Sequence, residues 1–191
     1  MKVSNLQYKF IPNSGQLLIS EPFLADPNFR KSVVLLCEHE LEGSVGFILN
    51  HSTEFRTDDI ITGLLSSNFP VFYGGPVEPN TLHFIHKSDQ KINESFHLGE
   101  GVYWGGDIEE VNELLNKKLA NSNDFKFFIG YSGWAVGQLQ AEIDQKAWWL
   151  GHLNHEAIFT DEISEIWPTC VKNLGSDFAY LADSPEDYNW N

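Results

Sequence analysis

The clearest pattern in the chain is an unbroken apolar run over residues 33–37, a turn, and a second apolar run over residues 45–49. Continuous aliphatic positions suit a strand buried on both faces, whereas strict alternation marks a strand with one wet face. Leu41 to Ser44, with Gly43, supplies a hairpin-type turn, and Asn50 and His51 end the return strand. Shorter runs predict strands at residues 16–20, 71–73, 82–85, 102–104, 125–129 and 148–150. Pro22 and Pro27 make residues 21–29 a loop, and Gly74-Gly75-Pro76 breaks the chain sharply.

Helical periodicity is strongest at residues 107–120. There Asp107 is placed to cap, Glu110 has the capping-box spacing, and Ile108, Val111, Leu114, Leu115 and Leu119 form a buried stripe. Glu113 and Lys117 make an i,i+4 pair on the wet face. A shorter helix is predicted at residues 57–66, with Thr57 as its cap and Ile60, Ile61, Leu64 and Leu65 on one side. Residues 133–146 read as helix despite Gly137, and residues 161–174 as a helix interrupted near Trp167-Pro168. Residues 1–14 read as a tether and 176–191, with four acids and no base, as a frayed tail. The elements alternate without a regular βαβ rhythm, which predicts one α+β domain over residues 1–191 with a mixed, mostly antiparallel sheet.

Composition narrows the function classes. The 191 residues carry 12 Lys+Arg against 27 Asp+Glu, a formal net charge of −15. Such a field repels phosphate backbones, and no basic cluster larger than Arg30-Lys31 or Lys117-Lys118 offsets it. Direct nucleic-acid binding is therefore disfavoured, and basic protein partners are favoured. No apolar run approaches the roughly 20 residues a membrane helix needs, and Met1 to Ser20 lacks the apolar core of a secretory leader. Two distant cysteines, Cys37 and Cys170, both in apolar surroundings, fit free, inert thiols in a reducing cytoplasm.

Motifs of known chemistry stop short. Gly130-Tyr-Ser-Gly-Trp134 has the outline of a nucleophile elbow, but Trp134 fills the place of the final glycine, and Ser132 has helix capping as its ordinary role. Gly99, Gly101, Gly105 and Gly106 precede a helix, yet the third glycine of a dinucleotide fingerprint is missing at Trp104. His152, His155 and Glu156 lack the second histidine of a zinc-protease helix, because that position is Phe159. His83 and His86 fall on opposite faces of a strand, while Cys37 and His39, two apart, would share one. No catalytic residue, metal ligand or cofactor is assigned.

One constellation stands out. On a helix starting near Gly133, Trp134, Gln138 and Glu142 recur at i, i+4 and i+8 beside the apolar Ala135, Leu139 and Ile143. Such polar groups on a buried border are satisfied either by neighbouring protein groups or by a ligand. Glu38 and His39, ending a buried strand, pose the same choice, and Asn50 and Tyr73 close other predicted strands. The candidate ligand-binding set is thus Glu38, His39, Asn50, Tyr73, Trp134, Gln138 and Glu142.

These segments together resemble the YqgE/AlgH family of bacterial proteins. The likeness runs through Gly15-Gln-Leu-Leu-Ile-Ser20, Asp26-Pro-Asn-Phe29, Ser32-Val-Val-Leu-Leu-Cys-Glu-His39, Gly43, and Gly46-Phe-Ile-Leu-Asn50. It continues through Tyr73-Gly-Gly-Pro-Val77, Gly105-Gly-Asp107, Gly130-Tyr-Ser-Gly-Trp134, Gly137-Gln-Leu139, Glu142-Ile143 and Trp149. The resemblance implies a bent, bifurcated sheet forming a pseudo-barrel flanked by helices, in a cytosolic protein. It brings no reaction. Some members carry a transcriptional-regulator label, which the acidic charge makes an indirect effect. The expectation is a non-enzymatic regulatory or protein-interaction module. The alternative is a small-molecule binder or enzyme with a pocket near His39 and Trp134, and direct DNA regulation ranks last.

Overall fold

A computed structural model describes residues 11–87, 90–152 and 155–184 of the chain. Among the described residues ten strands make one sheet: β1 Leu17–Ser20, β2 Val33–Glu40, β3 Gly43–Ile48, β4 Ser52–Arg56, β5 Pro70–Tyr73, β6 Val77–His86, β7 Phe96–Gly99, β8 Val102–Trp104, β9 Phe125–Ala135 and β10 Trp148–Gly151. The helices are α1 Thr57–Ile60, α2 Ile108–Asn116, α3 Gln138–Asp144, α4 His155–Ile158, α5 Ile166–Asn173 and α6 Ser176–Ala179.

The sheet runs in the order β10-β1-β2-β3-β9-β6-β8-β7 and forks at β9. Along one edge, β9 pairs with β3 through Ser132–Ala135 and, further upstream, with β5 through Phe127–Ile129. Its other edge pairs with β6. The β5–β9 pairing is parallel and the rest are antiparallel. This is the bifurcated α+β sheet the resemblance implied, although its hydrogen bonding does not close into a barrel, since β10 and β7 end the order.

The fork has a covalent consequence. β5 and β6 flank β9 on opposite edges, so the link between them must cross the strand. Gly74 N donates to the Ile129 carbonyl at 2.9 Å, and Gly74 O accepts from Ile48 N and from the Ser132 hydroxyl. Gly75 (φ +149) lies so close that a Cβ there would stand 2.4 Å from Ser132 N and from Tyr131 C and O. Ser132 is therefore a buried mid-strand brace rather than a helix cap.

The 33–37 run is buried on both faces, as its unbroken apolar character required. Val33, Leu35 and Cys37 join one core cluster, which α5 and α6 cover, and Val34 and Leu36 join another, which α3 covers. The β2–β3 register slips between Leu36 and Glu38. The resulting bulge flips the parity of everything beyond it. His39 consequently lines up with Ser44 and Trp134 on the face opposite Cys37, against the two-apart expectation.

Other differences have equally local causes. The helix expected at 57–66 is the single turn α1. The Thr57 hydroxyl accepts from Phe69 N and binds Asn68, pulling the chain back, and Ile61 is left exposed. Residues 133–135 belong to β9 because they pair with β3, and α3 starts only after Gly137 (φ +74). Helix α2 ends at Asn116, which leaves Leu119 exposed. Asp107 caps it by accepting from Glu109 N and Glu110 N, but Glu110 itself binds Asn93 rather than closing the box. Pro168 interrupts nothing: it occupies the first turn of α5, where a backbone N–H has no helical partner to lose. Residues 176–184 are not frayed, since Phe178, Leu181 and Ala182 pack onto the first cluster. Residues 1–10 of the expected tether and 185–191 of the expected tail lie outside the described residues.

His86 gives the fold a pH dependence. It is 1% exposed, and its Nε2 lies 3.0 Å from the Ser95 hydroxyl, which itself donates to the Gly105 carbonyl. Nε2 thus carries the proton, and the buried Nδ1 has no partner. Burial lowers the pKa of His86 from 6.5 to about 4. The unfolded chain therefore takes up this proton first, so the stabilisation is complete above pH 6.5 and is lost as pH falls towards 4. Urea unfolding at about pH 7.5 and about pH 5 should show a loss about 2 kcal/mol larger in wild type than in His86→Phe, in which the smaller contribution of the other buried cationic groups, such as His51 and His83, remains. Equal losses in both proteins would contradict it.

Candidate functional site

The motif-rich end of β9 and the helix that follows it do assemble a cluster, by a different route from the expected helical stripe. Trp134 is the penultimate residue of β9, while Gln138 and Glu142 stand one turn apart on α3. Glu142 Oε2 accepts from Trp134 Nε1 at 2.8 Å and from Trp148 Nε1, on β10, at 2.8 Å. Its Oε1 accepts from Gln138 Nε2 at 2.9 Å, and Gln138 Oε1 accepts from Ala135 N at 2.9 Å. Phe29 stacks on Trp134 (centroids 6.1 Å apart) and meets Trp148 edge-on at 5.4 Å. One carboxylate therefore ties two strands of the sheet to the helix, inside an aromatic box.

The remaining candidates lie apart from this clamp. His39 occupies the same cross-strand row as Trp134, two strands away, a span of roughly 10 Å. Its Nδ1 is hydrogen-bonded to the Ser44 hydroxyl at 2.8 Å, and Glu38 beside it is exposed. Asn50 braces the start of β2, accepting from Val33 N at 2.9 Å and donating to the Lys31 carbonyl at 2.8 Å. Tyr73 donates to Asn28 Oδ1 at 3.3 Å, and burial, with Asp26 nearby, pushes its hydroxyl pKa up. Sequence reasoning missed Trp148 and Phe29. The Trp148-Trp149 pair held a usable signal, because adjacent strand residues face opposite ways and one indole must turn inward with Trp134.

Cavities open elsewhere. A cleft of about 1020 Å³ is lined by Arg30, Lys31, Asn50, His51, Glu165 and Trp167, among others. Its charges are mixed, because Asp161 and Glu162 face it as well. Burial lowers the pKa of His51 there. A smaller cavity of about 260 Å³ lies beside Phe72, Lys126 and Phe159. Neither is lined by His39, Trp134, Gln138 or Glu142. Among the described residues no group of three or more His, Cys, Asp or Glu is arranged to hold a metal ion, and no helix is long and apolar enough to cross a membrane. Cys37 and Cys170 are free and buried in one cluster, where burial raises the Cys37 pKa and pushes Cys170 up to about 11. Thiols held so far from ionisation are poor nucleophiles.

Comparison with known proteins places this architecture. Residues 17–179 match a family model described as AlgH-like. A protein of Chlorobaculum tepidum named UPF0301 protein CT0663 is 39% identical over 172 residues, covering 90% of this chain and 92% of its own length. A UPF0301 protein of Cytophaga hutchinsonii is 36% identical over 178 residues, covering 93% and 98%. The solution structure of the AlgH protein from Pseudomonas aeruginosa superimposes with a TM-score of 0.69 at 23% identity, covering 98% of this chain and 100% of that one. The crystal structure of protein DIP2367 from Corynebacterium diphtheriae gives 0.76 at 18% identity, over 91% and 93%. At these identities the two structures speak for the fold alone.

Proposed function

The chain belongs to the AlgH-like family, and from that premise we propose that it is a non-enzymatic interaction module of the cytoplasm that docks basic protein partners at the hairpin end of its sheet. One contrast carries the reading. The polar side chains of the motif-rich region are engaged with one another through Glu142, while the apolar side chains just beyond them are bare. Leu41, at the β2–β3 turn, is 86% exposed, and Val136, directly after β9, is 71% exposed. Gly43 pairs with Ala135, so both project from the same end of the sheet. Exposed Glu38, Glu40 and Glu42, on the same hairpin as Leu41, give this end one sign of charge.

An apolar knob beside acidic side chains suits a partner with an apolar socket rimmed by Lys or Arg. Two buried free thiols fit a reducing compartment. Any effect on transcription would then pass through a protein partner, since the net charge of −15 opposes contact with DNA.

The test is affinity capture with wild type, the double variant Leu41→Asp/Val136→Asp, and Leu119→Asp, which alters an exposed apolar residue elsewhere. Proteins recovered by wild type should fall at least tenfold with the double variant and persist with Leu119→Asp. Equal recovery by all three, or no reproducible partner, would overturn the reading.

A further inference from the structure

β9 carries a cation through the interior of the fold. Lys126 interrupts the buried Phe125, Phe127 and Phe128 and is itself only 5% exposed. Its Nζ donates to the Ile158 carbonyl at 3.1 Å and lies 4.2 Å from the centroid of the Phe72 ring. Among the described residues no carboxylate comes within ion-pair distance of it. A buried ammonium normally has such a partner, because desolvation of an uncompensated charge is costly. Lys126, Phe72, Phe159 and Asp161 also line the 260 Å³ cavity, with Arg56 and Asn68. Lys126 therefore lines a small, half-open cavity.

We propose that Lys126 is a covalent binding site for a small aldehyde or ketone, which enters this cavity and condenses with Nζ to a reversible imine. The nitrogen lone pair attacks the carbonyl carbon, and the C=O π electrons move to oxygen. The resulting carbinolamine then expels that oxygen as water. The two protons originally on the neutral amine leave with it as the C=N bond forms, so no oxidant or reductant is needed. Phe72 and Phe159 supply an apolar lining, and Asp161 offers a carboxylate in the same wall to relay protons. A cavity of about 260 Å³, just below the range that takes drug-sized ligands, suits a small carbonyl compound.

The amine is poised for this chemistry. Burial lowers the Lys126 pKa from 10.5 to about 7, against the opposing pull of Asp161. The Phe72 face also favours the cation, whereas Arg56, in the same cavity, disfavours it. Near pH 7 about half of the Lys126 amine is uncharged, compared with roughly one part in a few thousand for an ordinary exposed lysine. Only the uncharged amine attacks a carbonyl. The site lies at the opposite end of β9 from Trp134 and does not rest on the docking reading.

The experiment treats the full chain with acetaldehyde and cyanoborohydride, which reduces any imine to a stable ethyl-lysine, and follows each lysine by peptide mass mapping. At pH 7 Lys126 should be modified at least tenfold faster than exposed Lys146 and Lys172, with a rate that rises through about pH 7 and then levels. Lys126→Met, which keeps the side-chain length without the amine, should lose the fast phase, and so should Lys126→Arg, which keeps the charge. Labelling of Lys126 no faster than of Lys146 and Lys172 in folded wild type would overturn the proposal. A fast phase that survives in either variant would do the same.

Discussion

Glu142→Ala should lower the unfolding free energy by about 3 kcal/mol. Trp134 and Trp148 are 5% and 2% exposed, and both indole N–H groups donate to the same carboxylate oxygen. Truncation strands two buried donors, each costing roughly 1–3 kcal/mol when unsatisfied. It also frees Gln138, whose amide oxygen holds Ala135 N at the end of β9. Glu142→Gln keeps one acceptor and should cost about half as much. Glu113→Ala makes the comparison, because its pair with Lys117 is well exposed and worth only about 0.3–0.5 kcal/mol. Urea unfolding of the three proteins ranks them. A Glu142→Ala loss no larger than that of Glu113→Ala would mean that water replaces the clamp at no cost.

Gly75→Ala should be more severe still, abolishing soluble expression or removing more than about 4 kcal/mol, the scale reached only when a residue cannot fit. Two constraints combine there. The backbone holds a positive φ, and the added Cβ would meet Tyr131 and Ser132 main-chain atoms at 2.4 Å, with no flexible side chain to yield. Gly130 faces it from β9, and a Cβ there would lie 2.6 Å from Gly75 O. Gly137→Ala isolates the first constraint. It also has a positive φ, but nothing lies within 4 Å of its Cβ, so the cost should be about 1–2 kcal/mol. Thermal unfolding separates them, because 1 kcal/mol moves the midpoint of a domain this size by about 2–4 °C. If Gly75→Ala melts within about 5 °C of Gly137→Ala, the crossing over β9 is not the constraint described.

Much of this architecture is legible because it is written in local pattern. The apolar run at 33–37 and the glycine hairpin behind it could take few other forms, and α2 follows from Asp107 and its stripe. What stays hidden depends on partners distant in sequence. The 133–135 segment has a helical-looking neighbourhood, yet pairing with residues 43–45 makes it strand. The bulge at Cys37 leaves no mark in the sequence but decides which face His39 takes. The helical spacing that groups Trp134, Gln138 and Glu142 applies only to the last two. Trp134 reaches Glu142 by another path, because the chain turns sharply at Val136 and Gly137 and lays α3 back against the end of β9. Lys126 is inconspicuous in the sequence, because one lysine in FKFFI reads as a solvated strand position until β6 and the Phe72 ring are seen to enclose it.

The shared carboxylate makes a prediction that spectroscopy can read without unfolding the protein. In a ¹H–¹⁵N spectrum the indole signals of Trp134 and Trp148 should both resist solvent exchange, and both should move together in Glu142→Gln while the Trp167 indole, bonded to the Ser20 carbonyl, stays in place. Indoles of Trp134 and Trp148 that exchange freely, or that ignore the substitution, would show that Glu142 does not hold the two strands and the helix together.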